Sequence, residues 1–172
     1  MANFKIRPAV STDCDEIMRL VQELADFEKM PDGVKIDAEV LRKDGFGEEK
    51  WFDCLVVEPV PAEQTENGTP ALIGYALWFY TYRTWYGRIM YMEDIYVQEN
   101  RRKHGIGSAL WKQSAKIGYD KGCRNIVWSC LDWNKSAICF YEAVGGADIT
   151  VKEGWHTFRM EYPELKKFIG ES

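Results

Sequence analysis

A chain of 172 residues with 46% hydrophobic and 14% aromatic content can bury a real core, which excludes a disordered segment. The formal net charge of −5 argues against a general nucleic-acid binder, whose basic face would extend over the whole domain. The five cysteines are odd in number, with no C-x-x-C pair and only His104 and His156 to complete a metal site, so no metal is expected. Met1 to Arg7 lacks a signal peptide's apolar stretch, and no run approaches the ~18 apolar residues of a membrane span. The expectation is one soluble, cytoplasmic domain, 1–172, with neither nucleic acid nor membrane as partner.

Phe4 to Arg7 alternates like a half-buried strand and meets Pro8. Ser11-Thr12-Asp13 then precedes Ile17, Leu20, Val21, Leu24 and Phe27 at helical spacing, which predicts a helix from about Cys14 to Glu28. Asp37 is the expected N-cap of a short helix to Lys43, broken at Gly45-Phe46-Gly47. Strands are expected over Trp51–Val57, Leu72–Tyr82 and Arg88–Val97, the first two separated by a polar loop rich in proline. A helix follows over Ser108–Tyr119, a strand over Asn125–Leu131 and a helix over Lys135–Val144. Trp155–Tyr162 alternates as a closing strand before a short terminal helix from Pro163. The order β-α-α-β-β-β-α-β-α-β-β predicts an α/β (α+β) fold, a mixed and mostly antiparallel sheet with helices on both faces.

The run Met92 to Ser108 carries the strongest chemical signal. It reads as a strand, a basic turn, then glycines opening a helix, so backbone N–H groups and the positive end of a helix dipole face a docking anion. It is not a dinucleotide fingerprint, because position 110 is Leu, and it is not a P-loop, because no Gly-Lys-Ser/Thr triplet occurs. A solvated basic turn is the plain alternative.

Arg102-x-x-Gly105-x-Gly107, followed by Asn134, Ala137, Tyr141 and Gly145, resembles the GNAT superfamily of N-acetyltransferases, with its Gln/Arg-x-x-Gly-x-Gly/Ala turn and Asn-x-x-Ala/Ser-x-x-x-Tyr-x-x-x-Gly helix. Ile6 to Ala9, Asp44 to Gly47, Gly87 to Tyr96 and Glu153 to Trp155 narrow the resemblance to the spermidine/spermine acetyltransferase branch. Phe27 to Lys29, Glu93 to Tyr96 and Leu131 to Asn134 look closest to its thialysine Nε-acetyltransferase (diamine acetyltransferase 2) subgroup.

The resemblance implies a GNAT fold, acetyl-CoA as cosubstrate, a homodimer and direct transfer of acetyl to a small cationic amine. It implies that Ile95, Tyr96 and Val97 line the pantetheine arm and that Lys103, His104, Gly105, Ile106, Gly107 and Ser108 cradle the pyrophosphate. Arg102 is expected to help bind phosphate, and Asn134, Lys135, Ser136 and Ala137 to touch the pantetheine end. Members of the family commonly carry Gly where this chain has Lys103, so a more basic, less permissive turn is expected.

A lysine-like amine, with pKa ~10.4, arrives protonated and needs a base. Glu93 is the candidate, acting through water or as an ammonium anchor; otherwise it is a solvated carboxylate at a strand end. Tyr141 is the candidate acid, since a phenol keeps its proton at neutral pH and can protonate a departing thiolate; otherwise its ring packs beside Phe140. Phe27, Glu28, Glu93, Val127, Trp128, Ser129 and Glu153 are implied to bind the acceptor, although Glu28 also reads as a solvated helix-end charge. Arg83 would repel a second ammonium, which tilts the expected acceptor from a polyamine (spermidine, spermine or putrescine) toward thialysine or lysine. A non-catalytic binding protein on the same fold is the remaining alternative.

Overall fold

The computed structural model describes residues 3–171, Val151 by its backbone alone. The chain forms two compact units that divide after Ser129.

The first unit holds a five-stranded sheet, in order β1 (Phe4–Pro8), β2 (Asp53–Pro59), β3 (Gly74–Arg83), β4 (Gly87–Val97) and β5 (Asn125–Val127). The first three pairings are antiparallel and β4–β5 is parallel, so the mixed, mostly antiparallel sheet expected from the sequence is present. Parallel pairing requires a crossover, and α3 (Ile106–Asp120) supplies it. On one face, Cys14, Ile17 and Leu20 of α1 (Cys14–Phe27) and Leu41 of α2 (Ala38–Phe46) form a core with Cys54, Val56, Tyr75 and Tyr96 of the sheet. On the other, α3 packs so closely that a Cβ on Gly118 would lie 2.7 Å from Met90 Sδ, and one on Gly107 would touch Val97.

Asp37 caps α2 as expected, its carboxylate accepting from the amides of Glu39 and Val40, each at 3.0 Å. The helix does not break at Gly45, however, but runs to Phe46. Gly45 is there for packing: a Cβ on it would lie 2.8 Å from Cε2 of Phe52. The strand expected over Asn125–Leu131 is shortened to Asn125–Val127. The reason lies in β4, whose register against β3 passes from Leu77↔Asp94 to Trp78↔Met92, so that Glu93 has no partner. This bulge bends the strand, and β5 pairs with β4 only over Ile89, Met90 and Tyr91, short of it.

The second unit holds α4 (Lys135–Ala143), α5 (Thr150–Glu153) and α6 (Tyr162–Ile169). Here the expected order fails at its end, because Trp155–Tyr162 forms no strand: residues 154–161 are irregular. Alternation makes a strand only where a neighbour takes the backbone hydrogen bonds and one face is covered. Phe158, which the pattern would bury, is 90% exposed. None of the described helices is long and apolar enough to cross a membrane.

Candidate active site

The bulge organises the chemistry of the first unit. Side chains two apart on a strand normally share a face, yet Met92 faces α3 together with Met90, while Asp94 faces α1 together with Tyr75 and Tyr96. The extra residue, Glu93, is exposed at the point of reversal. Asp94 is half-buried and accepts a 2.8 Å hydrogen bond from the hydroxyl of the fully buried Tyr75. Glu28, half-buried at the C-cap of α1, completes an acidic trio.

Desolvation raises the pKa of all three carboxylates, by burial at Asp94 and Glu28 and by the crowding protein around the carboxylate of the otherwise exposed Glu93, and the charge of Asp94 raises Glu28 and Glu93 further. The bond from Tyr75 acts on Asp94 in the opposite direction. Among the described residues, none of the three is ion-paired with a cationic side chain. A cation placed beside Asp94, Glu28 and Glu93 would offset the charge effect of Asp94 on the other two.

Beyond the bulge β4 offers an open edge. The amide of Gln98 donates to Ile73 O on the β3 side, so strand alternation turns Ile95 and Val97 to the other side. There Val97 O accepts from Arg102 Nε at 2.9 Å, and among the described residues no strand reaches the Ile95 amide and carbonyl or the Val97 amide. An extended amide chain can pair along such an edge as an added strand does.

The turn that follows needs left-handed backbone at two places, Lys103 (φ 66°) and Gly105 (φ 79°), the second being the N-cap of α3. No side chain caps this helix. The amides of Ile106, Gly107 and Ser108 are therefore the donors that helical geometry leaves without an i−4 acceptor. Lys103 and His104 are exposed beside them. Arg102 turns away, its guanidinium carbon lying 4.5 Å from the ring centroid of Phe27 and 5.5 Å from that of Tyr96.

Of the other residues implied to bind acceptor, Trp128 packs edge-on against Trp111 at 4.8 Å, and Ser129 Oγ lies 3.1 Å from the Tyr91 hydroxyl just past Val127, the last residue of β5. Arg83 is not brought to the trio: it ends β3 six residues past Leu77, the partner of Asp94, or ~20 Å along the strand.

In the second unit, Asn134 caps α4, its Oδ1 accepting from Ala137 N at 3.2 Å, with Lys135 and Ser136 in the first turn. Tyr141 lies on the same helix, half-buried, its ring tilted 60° to that of Phe140 at 5.5 Å. Glu153 is exposed at the end of α5.

With this geometry in hand, a family model described as "Acetyltransferase (GNAT) family" matches residues 19–146. A thialysine N-epsilon-acetyltransferase of Sus scrofa is 45% identical over 171 residues, covering 99% of this chain and all of that protein. The enzyme of the same name from Bos taurus is 46% identical over an equal span. A spermidine/spermine N(1)-acetyltransferase-like protein of Homo sapiens is 37% identical across 96% of this chain, which matches 24% of that protein's length.

The chain belongs to the acetyltransferase (GNAT) family. An integron cassette protein from the mobile metagenome of V. cholerae shares the fold, with a TM-score of 0.73, 20% identity and coverage of 97% of this chain and 98% of that one. An aminoglycoside acetyltransferase from an uncultured soil sample does so with a TM-score of 0.67, 17% identity and coverage of 93% and 95%.

A GNAT enzyme moves an acetyl group onto an amine, and two features of this chain suit that task. The acidic trio gathers where an ammonium can be held and deprotonated. The open β4 edge and uncapped α3 supply amide donors for a linear, anionic donor molecule. One residue escaped the sequence reading, Asp94, the member of the trio that presses on the other two. The available signal was an acid next to the presumed base in a strand of otherwise apolar, aromatic residues.

Proposed function

We propose that the chain catalyses direct transfer of acetyl from acetyl-CoA to the primary amine of a small cationic molecule, most closely the Nε of thialysine or a lysine-like amino acid. The observation that carries this reading is the trio Glu28, Glu93 and Asp94, coupled through the charge of Asp94 and, among the described residues, in no ion pair with a cationic side chain. The relatives named for thialysine support the choice of acceptor. Acetyl-CoA supplies the activated thioester. Ile95, Tyr96 and Val97 hold its pantetheine arm, the amides of Ile95 and Val97 pairing with it, residues Lys103 to Ser108 hold its pyrophosphate, and Asn134 to Ala137 touch its pantetheine end.

Phe27, Glu28, Val127 to Ser129 and Glu153 bind the amine. Glu93 takes the ammonium proton, a task helped by a pKa raised above the ordinary carboxylate value by desolvation and by the charge of Asp94. Tyr141 returns a proton to the departing thiolate. The match over 19–146 runs through both units, which supports one catalytic domain over 1–172. Five free cysteines support a reducing, cytoplasmic setting. Exposed Tyr82, Trp85 and Tyr86 at the β3–β4 hairpin support a homodimer.

A polyamine acceptor is the second reading, favoured by three neighbouring acids that, among the described residues, form no ion pair, and by the spermidine/spermine-like relative. Initial rates with acetyl-CoA against thialysine, lysine, putrescine and spermidine separate the two. The highest kcat/KM is expected with thialysine or lysine, and a maximum at spermidine selects the second reading. No turnover with any primary amine overturns both.

A further inference from the structure

The first position of the glycine turn, Arg102, was expected to bind phosphate, but its surroundings assign it other work. Its Nε donates to Val97 O at 2.9 Å, and its guanidinium carbon lies 4.5 Å from the Phe27 centroid, over the ring. The Tyr96 ring is 5.5 Å away, and that tyrosine is itself tied to α1 through its hydroxyl, which donates to Glu23 Oε2 at 3.2 Å. Tyr96 belongs to the α1 face of the sheet, whereas the free amides that open α3 belong to the helix packed on the other face. The guanidinium therefore points toward the end of α1 and away from those amides.

We infer that Arg102 is a positioning residue for the amine: it ties the cofactor turn to Phe27, and through Phe27 fixes Glu28 beside the bulge. This rests on the proposed role of Phe27 and Glu28 in binding the acceptor. Seating of the cosubstrate on the turn then steadies the amine wall, so the two substrates favour each other's binding. Holding a cation over the Phe27 ring while Nε donates to Val97 O uses two parts of one guanidinium, which the single ammonium of lysine cannot reproduce.

The test uses full-length Arg102→Lys and Phe27→Leu and their double variant, with thialysine rates at saturating acetyl-CoA and CoA affinity measured by calorimetry. Arg102→Lys keeps the charge, and Phe27→Leu leaves the turn untouched. Each single variant is expected to raise the amine KM about tenfold, the scale of a desolvated cation–π contact. CoA affinity is expected to change less than threefold, and the double variant to be no worse than either single one. A tenfold loss of CoA affinity in Arg102→Lys with an unmoved amine KM makes Arg102 a phosphate ligand and overturns the inference. Additive losses in the double variant overturn it as well. Failure of the wild-type protein to acetylate any amine overturns the acetyl-transfer reading and this inference together, whereas wild-type turnover with unmoved amine KM values overturns this inference alone.

Discussion

Lys103 holds a backbone angle, φ 66°, that side chains with a Cβ rarely adopt. A left-handed residue other than glycine costs roughly 1–2 kcal/mol, part of which glycine would lose again to its freer unfolded chain. Lys103→Gly is therefore expected to stabilise the protein by about 1 kcal/mol in chemical denaturation, and to weaken CoA binding by removing a cation from the turn. At Tyr141 the question is chemical. Tyr141→Phe keeps the ring that packs on Phe140 and removes only the hydroxyl, the acid group in question. Rapid-quench rates with saturating substrates are expected to fall by ~10²–10⁴, the range for loss of a general acid. Both residues were visible in the sequence because a motif fixes their spacing. Asp94 was not, because no spacing rule announces that an acid beside a bulge faces inward under a buried tyrosine.

The elements show where pattern reading works and where it stops. Helix α1 was legible almost to the residue, because five apolar side chains repeat at its period and a core receives them. Gly45 misled, because a glycine within a helical pattern is ordinarily a breaker or a loss of about 1 kcal/mol relative to alanine. Here the order is reversed by Phe52, whose ring occupies the space a Cβ would take. Gly45→Ala is expected to lower stability by ~1–3 kcal/mol, the usual cost of overpacking, and thermal melts of the two proteins measure it. The bulge at Glu93 was equally invisible, since Ile89 to Val97 has no polar–apolar alternation for an extra residue to interrupt. It also shortened β5, an effect that arises in a neighbouring strand and leaves no trace in residues 125–131 themselves. The strand expected at Trp155 failed for the complementary reason, since alternation is present there and residues 154–161 are nonetheless irregular.

At the scale of the molecule, the acidic trio sets stability against function. A carboxyl group whose pKa is raised by folding binds its proton more tightly in the folded state. Its contribution to stability is complete below the ordinary carboxylate value of ~4, and is lost as pH rises through the raised one. Asp94, Glu93 and Glu28 all shift in this direction. Asp94→Asn keeps an acceptor for the Tyr75 hydroxyl and removes the charge. Its melting temperature is expected to exceed that of the wild type at pH 7, with the gap closing as pH falls toward ~4, while the KM for the amine rises. Melts and rates across that pH series check both halves. Mutual repulsion retained at a cost in stability is the usual signature of a working site.

The open edge of β4 has a consequence apart from catalysis. Backbone groups at Ile95 and Val97 that can receive a ligand can equally receive a strand from another molecule, because an unpaired edge does not distinguish its guests. Between turnovers the protein therefore carries an adhesive seam. If the seam is where the proposed acetyl donor lies, concentrated stocks are expected to clump more slowly with CoA added, which light scattering measures.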